Sequence, residues 1–457
     1  MRAPSGHVWT RRQIVAAAAA IAAVVAGVLT ATLPSMSLQV AAALACATSL
    51  AAFVAARLGW VLNPAWIVIF ALYLAGPVGT LVQGAGLGLS VVAMLAIGPI
   101  PFVLAALAIR PDVRDRILLV LPLAILVAFG GLSLLWSTNP EHGLAKLTIW
   151  TLTGLLPATF IVVLAPASPR FLWGALAVAA LAYAVGLIAF GEASALYPGR
   201  LALFGDNPIW TARAAFIGAL VAVFGPFPRI AKVIMAPVLI AAALLTVSLG
   251  PLLGFLAGGW VGSAAMIRAA DRASDRARLG WIALGLSSGA VLVVLLADAM
   301  FGGAGSIIAK VVVNDPNVTG RATFLDAASR LFLAAPLIGT GLGGFLATGL
   351  AEYPHNVVAE IGAELGAFGL LALAAWFGLA LRGAGRSPII MALLVATAVF
   401  SLFSGSVASN AEFWMFSALA VAGLSRQHAA VKRGSPDPVP HAAGASPVPQ
   451  TTLGSGY

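Results

Sequence analysis

The apolar residues of this chain run in long unbroken stretches, with short polar segments between them. They show neither the period of two of a half-buried strand nor the narrow stripe of a surface helix. A helix needs about 20 apolar residues to cross a bilayer core, with a usable range of about 17–25. By that rule there are about fourteen candidate spans, at roughly 13–33, 37–56, 62–82, 89–109, 117–136, 145–165, 171–191, 209–226, 231–248, 251–267, 279–297, 357–381, 388–404 and 411–425. The close pair over 231–267 and the short last two leave twelve or thirteen open. Runs this long satisfy their own backbone in lipid only as helices. The expected fold is therefore an all-α polytopic membrane protein, a bundle of about 12–14 transmembrane helices.

Two regions break the pattern. Residues 298–356 form one long loop, with a weakly amphipathic piece near 322–335 whose apolar stripe is Phe324, Leu325, Ala328, Leu331 and Phe332. Such a helix suits a membrane surface. The tail after 433 is rich in Pro, Ser, Gly and Ala and is expected to be disordered. The chain then divides into an N-terminus at 1–12, helices over 13–297, the loop at 298–356, three last helices over 357–425 and a tail at 426–457.

Composition agrees with lipid as the main solvent. Only 9% of the 457 residues are charged and 61% are apolar, whereas a soluble domain is about a quarter charged. The net charge of +10 would suggest nucleic acid if it lay on one soluble face. Its distribution says otherwise. With the N-terminus placed in the cytoplasm and the spans alternating, all but six of the 25 Lys and Arg fall on the inner side, as the positive-inside rule requires. The six exceptions are Lys146, Arg200, Arg213, Lys310, Arg321 and Arg330. Most acidic residues, among them Glu352, Glu360, Glu364 and Glu412, fall on the outer side with them. Both termini are expected in the cytoplasm, and no nucleic-acid partner is expected. Thr10-Arg11-Arg12 before an apolar run looks like an export signal, but another span follows it, so it reads as the basic flank of a first helix. The single cysteine, Cys46, excludes a disulfide framework and a thiolate metal site.

The candidate chemistry lies at the outer ends of the spans. His355 stands where the long loop meets a span, in Tyr353-Pro354-His355-Asn356. Asn356, Glu360 and Glu364 follow at helical spacing and share one face. A carboxylate in the first turns of a span costs several kcal/mol unless it faces protein or water, so Glu360 and Glu364 are site candidates. Arg213 sits in the first turn of another span, after Asn207-Pro208, where a cation opposes the helix dipole and needs an acidic or phosphate partner. Arg200, Arg321 and Arg330 are further outer cations whose planar forks suit diphosphate oxygens. The alternatives are pairing with Asp206, Asp326 or lipid headgroups. Pro336-Leu337-Ile338-Gly339-Thr340-Gly341-Leu342-Gly343-Gly344 resembles a nucleotide loop only in spelling, because no βαβ unit surrounds it. It reads as a turn that brings backbone close to backbone, or to a ligand.

Taken in order, Gly320-Arg321, this Gly-rich segment, Pro354-His355-Asn356, Glu360 and Glu364-Leu365-Gly366 resemble the O-antigen ligase and polymerase family over about 205–381. Leu135-Trp136-Ser137-Thr138-Asn139-Pro140 is similar to an outer segment of the same family. The resemblance implies a type-C glycosyltransferase architecture in a bacterial cytoplasmic membrane, with a periplasmic site. It implies an undecaprenyl-diphosphate-linked glycan as donor and, as acceptor, a lipid A core sugar (ligase) or another lipid-linked repeat unit (polymerase). It also implies direct inverting transfer without metal or cofactor. The family's loop histidine falls on His355 and its loop arginine on Arg321. Under that reading His355, Glu360 and Glu364 are catalytic, Arg200, Arg213, Arg321 and Arg330 hold the diphosphate, and Asn207 and Asn356 support. Where many members carry a basic turn, this chain has Ser248-Leu249-Gly250-Pro251, so Arg213 or Arg200 is expected to substitute. The competing class is a glycan flippase, whose polar site would lie near the midplane.

Overall fold

In a computed structural model, the residues described are 111–164, 170–194, 197, 200–203, 207–268, 316–385 and 387–434, with scattered helical positions over 65–73 and 280–285. The expected spans before residue 62, those near 89–109 and most of 279–297, and the tail beyond 434, lie outside the described residues.

The described chain is helical almost throughout. It runs α1 (Pro111–Leu118), α2 (Leu121–Leu132), α3 (Pro140–Trp150), α4 (Leu156–Leu164), α5 (Arg170–Phe190), α6 (Pro208–Phe224), α7 (Arg229–Leu245), α8 (Leu249–Arg268), α9 (Pro316–Ala334), α10 (Val357–Ala384), α11 (Pro388–Phe403) and α12 (Ala411–Gly434). A π turn at Thr151–Leu155 joins α3 to α4, so 140–164 is one long apolar rod. Such an insertion often marks a functional stretch. Among the described residues, four helices are long and apolar enough to cross a membrane: 140–164, 172–190, 249–268 and 357–384. The shorter apolar helices at 121–135, 208–224, 388–403 and 411–424 stand beside them. The architecture is that of an all-α polytopic membrane protein.

Two-stranded pairing occurs once among the described residues, where β1 (Glu192–Ala193) runs antiparallel to β2 (Leu201–Ala202). The amphipathic segment expected near 322–335 is a longer helix, α9, which starts at Pro316, a residue well suited to a helix's first turn. Its inner face does not lie free on a membrane surface: Ala328 packs with Phe345 and with Ala363 of α10.

Small residues let the helices approach closely, as is common between membrane helices. On α8 the glycines 250, 254, 258 and 262 recur every four residues. A Cβ on Gly258 would lie 2.5 Å from the Ala392 carbonyl oxygen of α11, and one on Gly254 would lie 2.7 Å from that of Ala396. The Leu249 departure therefore begins a helix pressed onto α11, with Gly250 against Phe403.

Helix α10 is broken within its membrane stretch. Gly366 adopts φ 63°, ψ −158°, a region open essentially to glycine alone. The break frees backbone groups, and the Gly-rich segment supplies their partners. Ala367 N–H donates to the Pro336 carbonyl (2.8 Å) and Phe368 N–H to that of Leu337 (3.2 Å). In return Thr340 N–H donates to the Ala363 carbonyl (3.0 Å) and Gly341 N–H to that of Glu364 (2.9 Å). Of the two readings of this segment, close approach of backbone to backbone is the one found. From the other side, Ser137 Oγ donates to the Leu342 carbonyl (2.7 Å) and Leu342 N–H donates to Ser133 Oγ (2.9 Å). Ser133 and, from the Leu135–Pro140 segment, Ser137 thus clasp the same turn.

Candidate functional site

The N-terminal ends of α3, α6, α10 and α12 and the C-terminal end of α11 meet at one end of the bundle. The strongest polar chemistry of the described chain is concentrated there, in two buried ionic groups.

The first group centres on Lys146 of α3. Its ammonium donates to Glu364 Oε1 (2.8 Å) and Oε2 (2.9 Å) and lies 2.8 Å from Glu360 Oε1. The three side chains are at most 4% exposed. The same carboxylates also fasten loops. Glu360 Oε2 accepts the Val407 N–H (2.7 Å), and Glu364 Oε1 also accepts the Phe345 N–H (3.2 Å). Glu360 and Glu364 do share a helix face, but that face meets Lys146. The two carboxylates, expected to be catalytic, are both engaged by this lysine.

The second group centres on Arg213 of α6, which is 1% exposed. Nη1 donates to Asn410 Oδ1 (2.9 Å), and Nη2 donates to the carbonyls of Phe400 (3.0 Å) and Ser404 (2.9 Å). Glu412 Oε2 lies 3.6 Å from Nη1. The guanidinium also lies over Trp210, 4.4 Å from the ring centre. The unfavourable cation at a helix N-terminus thus finds its acid, as expected, but that acid is Glu412. Arg213 fastens the 400–412 turn, and its planar fork is spent on protein groups where diphosphate oxygens were expected.

His355 sits directly above α10. It adopts φ 57°, a left-handed conformation that histidine tolerates better than most residues. Its ring stacks on Phe324 of α9 (5.7 Å between ring centres) and meets Tyr353 edge-on (4.6 Å). Burial, and then the positive charge of Arg321, push the imidazole below its ordinary value. The next residue, Asn356, caps α10: its Oδ1 accepts the Ala359 N–H (3.0 Å) and its Nδ2 donates to the Leu402 carbonyl (3.1 Å). Tyr353 is drawn upward in pKa by burial and by Glu360, Glu352 and Tyr197, against a smaller opposing effect of Arg213. One tyrosine therefore feels both ionic groups and the hairpin.

The remaining cations divide. Arg321, Phe324 and Ala328 are spaced i, i+3, i+7, so Arg321 shares the docked face of α9. Arg330 is nine residues on, about half a turn round and roughly 13 Å along the helix. It pairs with Asp326 at 2.8 Å on the open face, 78% exposed. Of the four arginines expected to grip one diphosphate, Arg213 is bound to protein groups and Arg330 to Asp326. Arg200 lies over Tyr197 (5.3 Å to the ring centre) at the hairpin. Asn207 caps α6, accepting the Ile209 N–H at 3.0 Å.

Lys146, Asn410 and Glu412 take part in these two groups and Tyr353 feels both, which no local sequence pattern shows. A signal existed for Lys146, a lone lysine within an apolar span. Its partners stand more than two hundred residues away in sequence, which hides them from any local pattern.

No curated protein matches the chain. The stretch 233–374, which holds Arg321, the Gly-rich turn, His355 and both α10 carboxylates, matches the family described as O-Antigen ligase. Over that stretch, somewhat under a third of its length, the chain is thus similar to the O-antigen ligase family.

Proposed function

We propose that the protein is a metal-independent glycosyltransferase of a bacterial cytoplasmic membrane. It moves a glycan from a polyprenyl diphosphate to an acceptor hydroxyl, with direct inversion at the anomeric carbon and the site on the periplasmic side. The observation that carries the reading is His355. It is a half-buried imidazole on a left-handed residue, held between two aromatic rings and kept in its neutral, proton-accepting form by burial and Arg321. A base that is neutral at working pH is what hydroxyl activation requires.

In the reaction His355 takes the proton of the acceptor hydroxyl as its oxygen attacks the anomeric carbon. The bond from that carbon to the diphosphate oxygen breaks, and the electron pair leaves with the polyprenyl diphosphate. Arg321, with Arg200 from the hairpin, is assigned to the negative charge that grows on the leaving group. Glu360 and Glu364 act through the position of α10 and not on the reacting atoms. Arg213 shapes the neighbouring turn. The acceptor is a saccharide, either a lipid A core or a second lipid-linked repeat unit.

The test uses the purified full chain and a synthetic undecaprenyl-diphosphate glycan. His355→Ala is expected to lower kcat by 10²–10⁴-fold, the usual contribution of a positioned base, with donor binding retained. Full turnover by that variant would remove the histidine from the mechanism.

A further inference from the structure

The two buried ionic groups are fastened to one another through a single turn. Glu360 holds the Val407 N–H (2.7 Å). Three residues on, Asn410 receives Arg213 (2.9 Å) and in turn donates to the carbonyls of Ser404 (3.2 Å) and Ser406 (2.8 Å). At the turn's entrance Asn356, the residue after His355, donates to the Leu402 carbonyl. The 402–410 turn is thus gripped by the α10 cap, by Glu360 and by Arg213. The matching grip on the other side is Phe345 N–H on Glu364. Lys146 is the one cation shared by Glu360 and Glu364, and it comes from α3, which contributes nothing else charged to this network among the described residues.

An apolar side chain at Lys146 would leave two buried carboxylates without a cation. They would turn toward water or take up protons, and the Val407 and Phe345 amides would lose full-strength acceptors. Both loops flank the helix end that presents His355.

We propose that Lys146 is a positioning residue for glycosyl transfer: by neutralising Glu360 and Glu364 together, it fixes the first turns of α10, and with them His355, against the 343–348 and 402–410 turns. The proposal rests on the transferase reading given above. It assigns Lys146 no contact with substrate.

The experiment compares wild type, Lys146→Met, Lys146→Gln and Lys146→Arg as purified full-length protein. Only the monodisperse folded fraction is taken. Two readouts are made: amide hydrogen exchange over 343–348 and 402–410, and kcat and KM for an undecaprenyl-diphosphate glycan. In Lys146→Met both segments should exchange faster. Its kcat should fall on the order of 10²-fold, as expected for ångström-scale misplacement, with donor KM within about threefold of wild type. Lys146→Gln keeps a donor for one carboxylate and is gentler on folding. It should give the same signature at smaller amplitude, so the test survives if Lys146→Met does not fold. Lys146→Arg should restore slow exchange and most of kcat. Folded Lys146→Met or Lys146→Gln with wild-type exchange and wild-type kcat would overturn the proposal, because a merely stabilising lysine changes yield and not turnover. If wild type transfers no glycan, the transferase reading fails on its own, and the exchange arm still decides whether Lys146 holds the two turns.

Discussion

Arg213→Met separates two roles that the sequence allows for this arginine. In the structure its guanidinium is buried and makes three hydrogen bonds within the protein, to Asn410 and to the carbonyls of Phe400 and Ser404. Removing it affects these acceptors unequally. The Phe400 carbonyl still accepts the Ser404 N–H, and the Ser404 carbonyl still accepts Asn410 Nδ2. Asn410 Oδ1 loses its partner, which costs about 1–3 kcal/mol when buried. Glu412 loses its ion-pair partner, and breaking a buried pair by removing one member costs about 3–5 kcal/mol. The two losses overlap, so the total should be close to the second figure. The assay is unfolding in detergent followed by tryptophan fluorescence, alongside donor binding. Arg213→Met should be strongly destabilised. Arg213→Met with Glu412→Gln should regain a good part of the loss, because the uncompensated charge is gone. A variant with unchanged stability and abolished donor binding would refute the reasoning and return Arg213 to the ligand.

Two further predictions follow from the same geometry. Because burial and Arg321 lower the His355 pKa, the acid limb of kcat/KM should lie below the ordinary histidine value near 6.5; Arg321→Gln removes a positive charge, raises that pKa and should move the limb to higher pH, measured by turnover between pH 4.5 and 8 on a scale set by ordinary side-chain values. Gly366→Ala should cost roughly 1–3 kcal/mol from its backbone conformation alone, and more because its Cβ would stand 2.5 Å from the Leu337 carbonyl; unfolding in detergent measures the loss, and an unchanged midpoint would mean that α10 is not broken there.

The helices were legible because hydropathy acts locally: the stretches near 145–165, 171–191, 251–267 and 357–381 coincide with rods at 140–164, 172–190, 249–268 and 357–384. The shared face of Glu360 and Glu364 was legible for the same reason, since spacing alone sets it. What faces them was not. Lys146 reaches them from another helix, and Glu412 reaches Arg213 across nearly two hundred residues, so neither pairing leaves a trace in any window of sequence. The break at Gly366 was hidden as well. A glycine inside an apolar run reads as an ordinary helix residue, and the partners of the freed amides lie in the Gly-rich turn some thirty residues earlier. The division of the arginines depends on tertiary contacts too, although the opposite faces of Arg321 and Arg330 follow from helical geometry once α9 is known to be one helix.

In the proposed reaction a covalent bond changes hands at the His355 end of the bundle. The direct measurement reconstitutes the full-length protein in vesicles with a labelled undecaprenyl-diphosphate glycan and a saccharide acceptor, then follows three species: intact donor, free undecaprenyl diphosphate and glycosylated acceptor. Equal amounts of the last two, appearing as donor disappears, are predicted. Donor that crosses the bilayer intact, with no diphosphate released and no acceptor glycosylated, would contradict the account and identify a transporter.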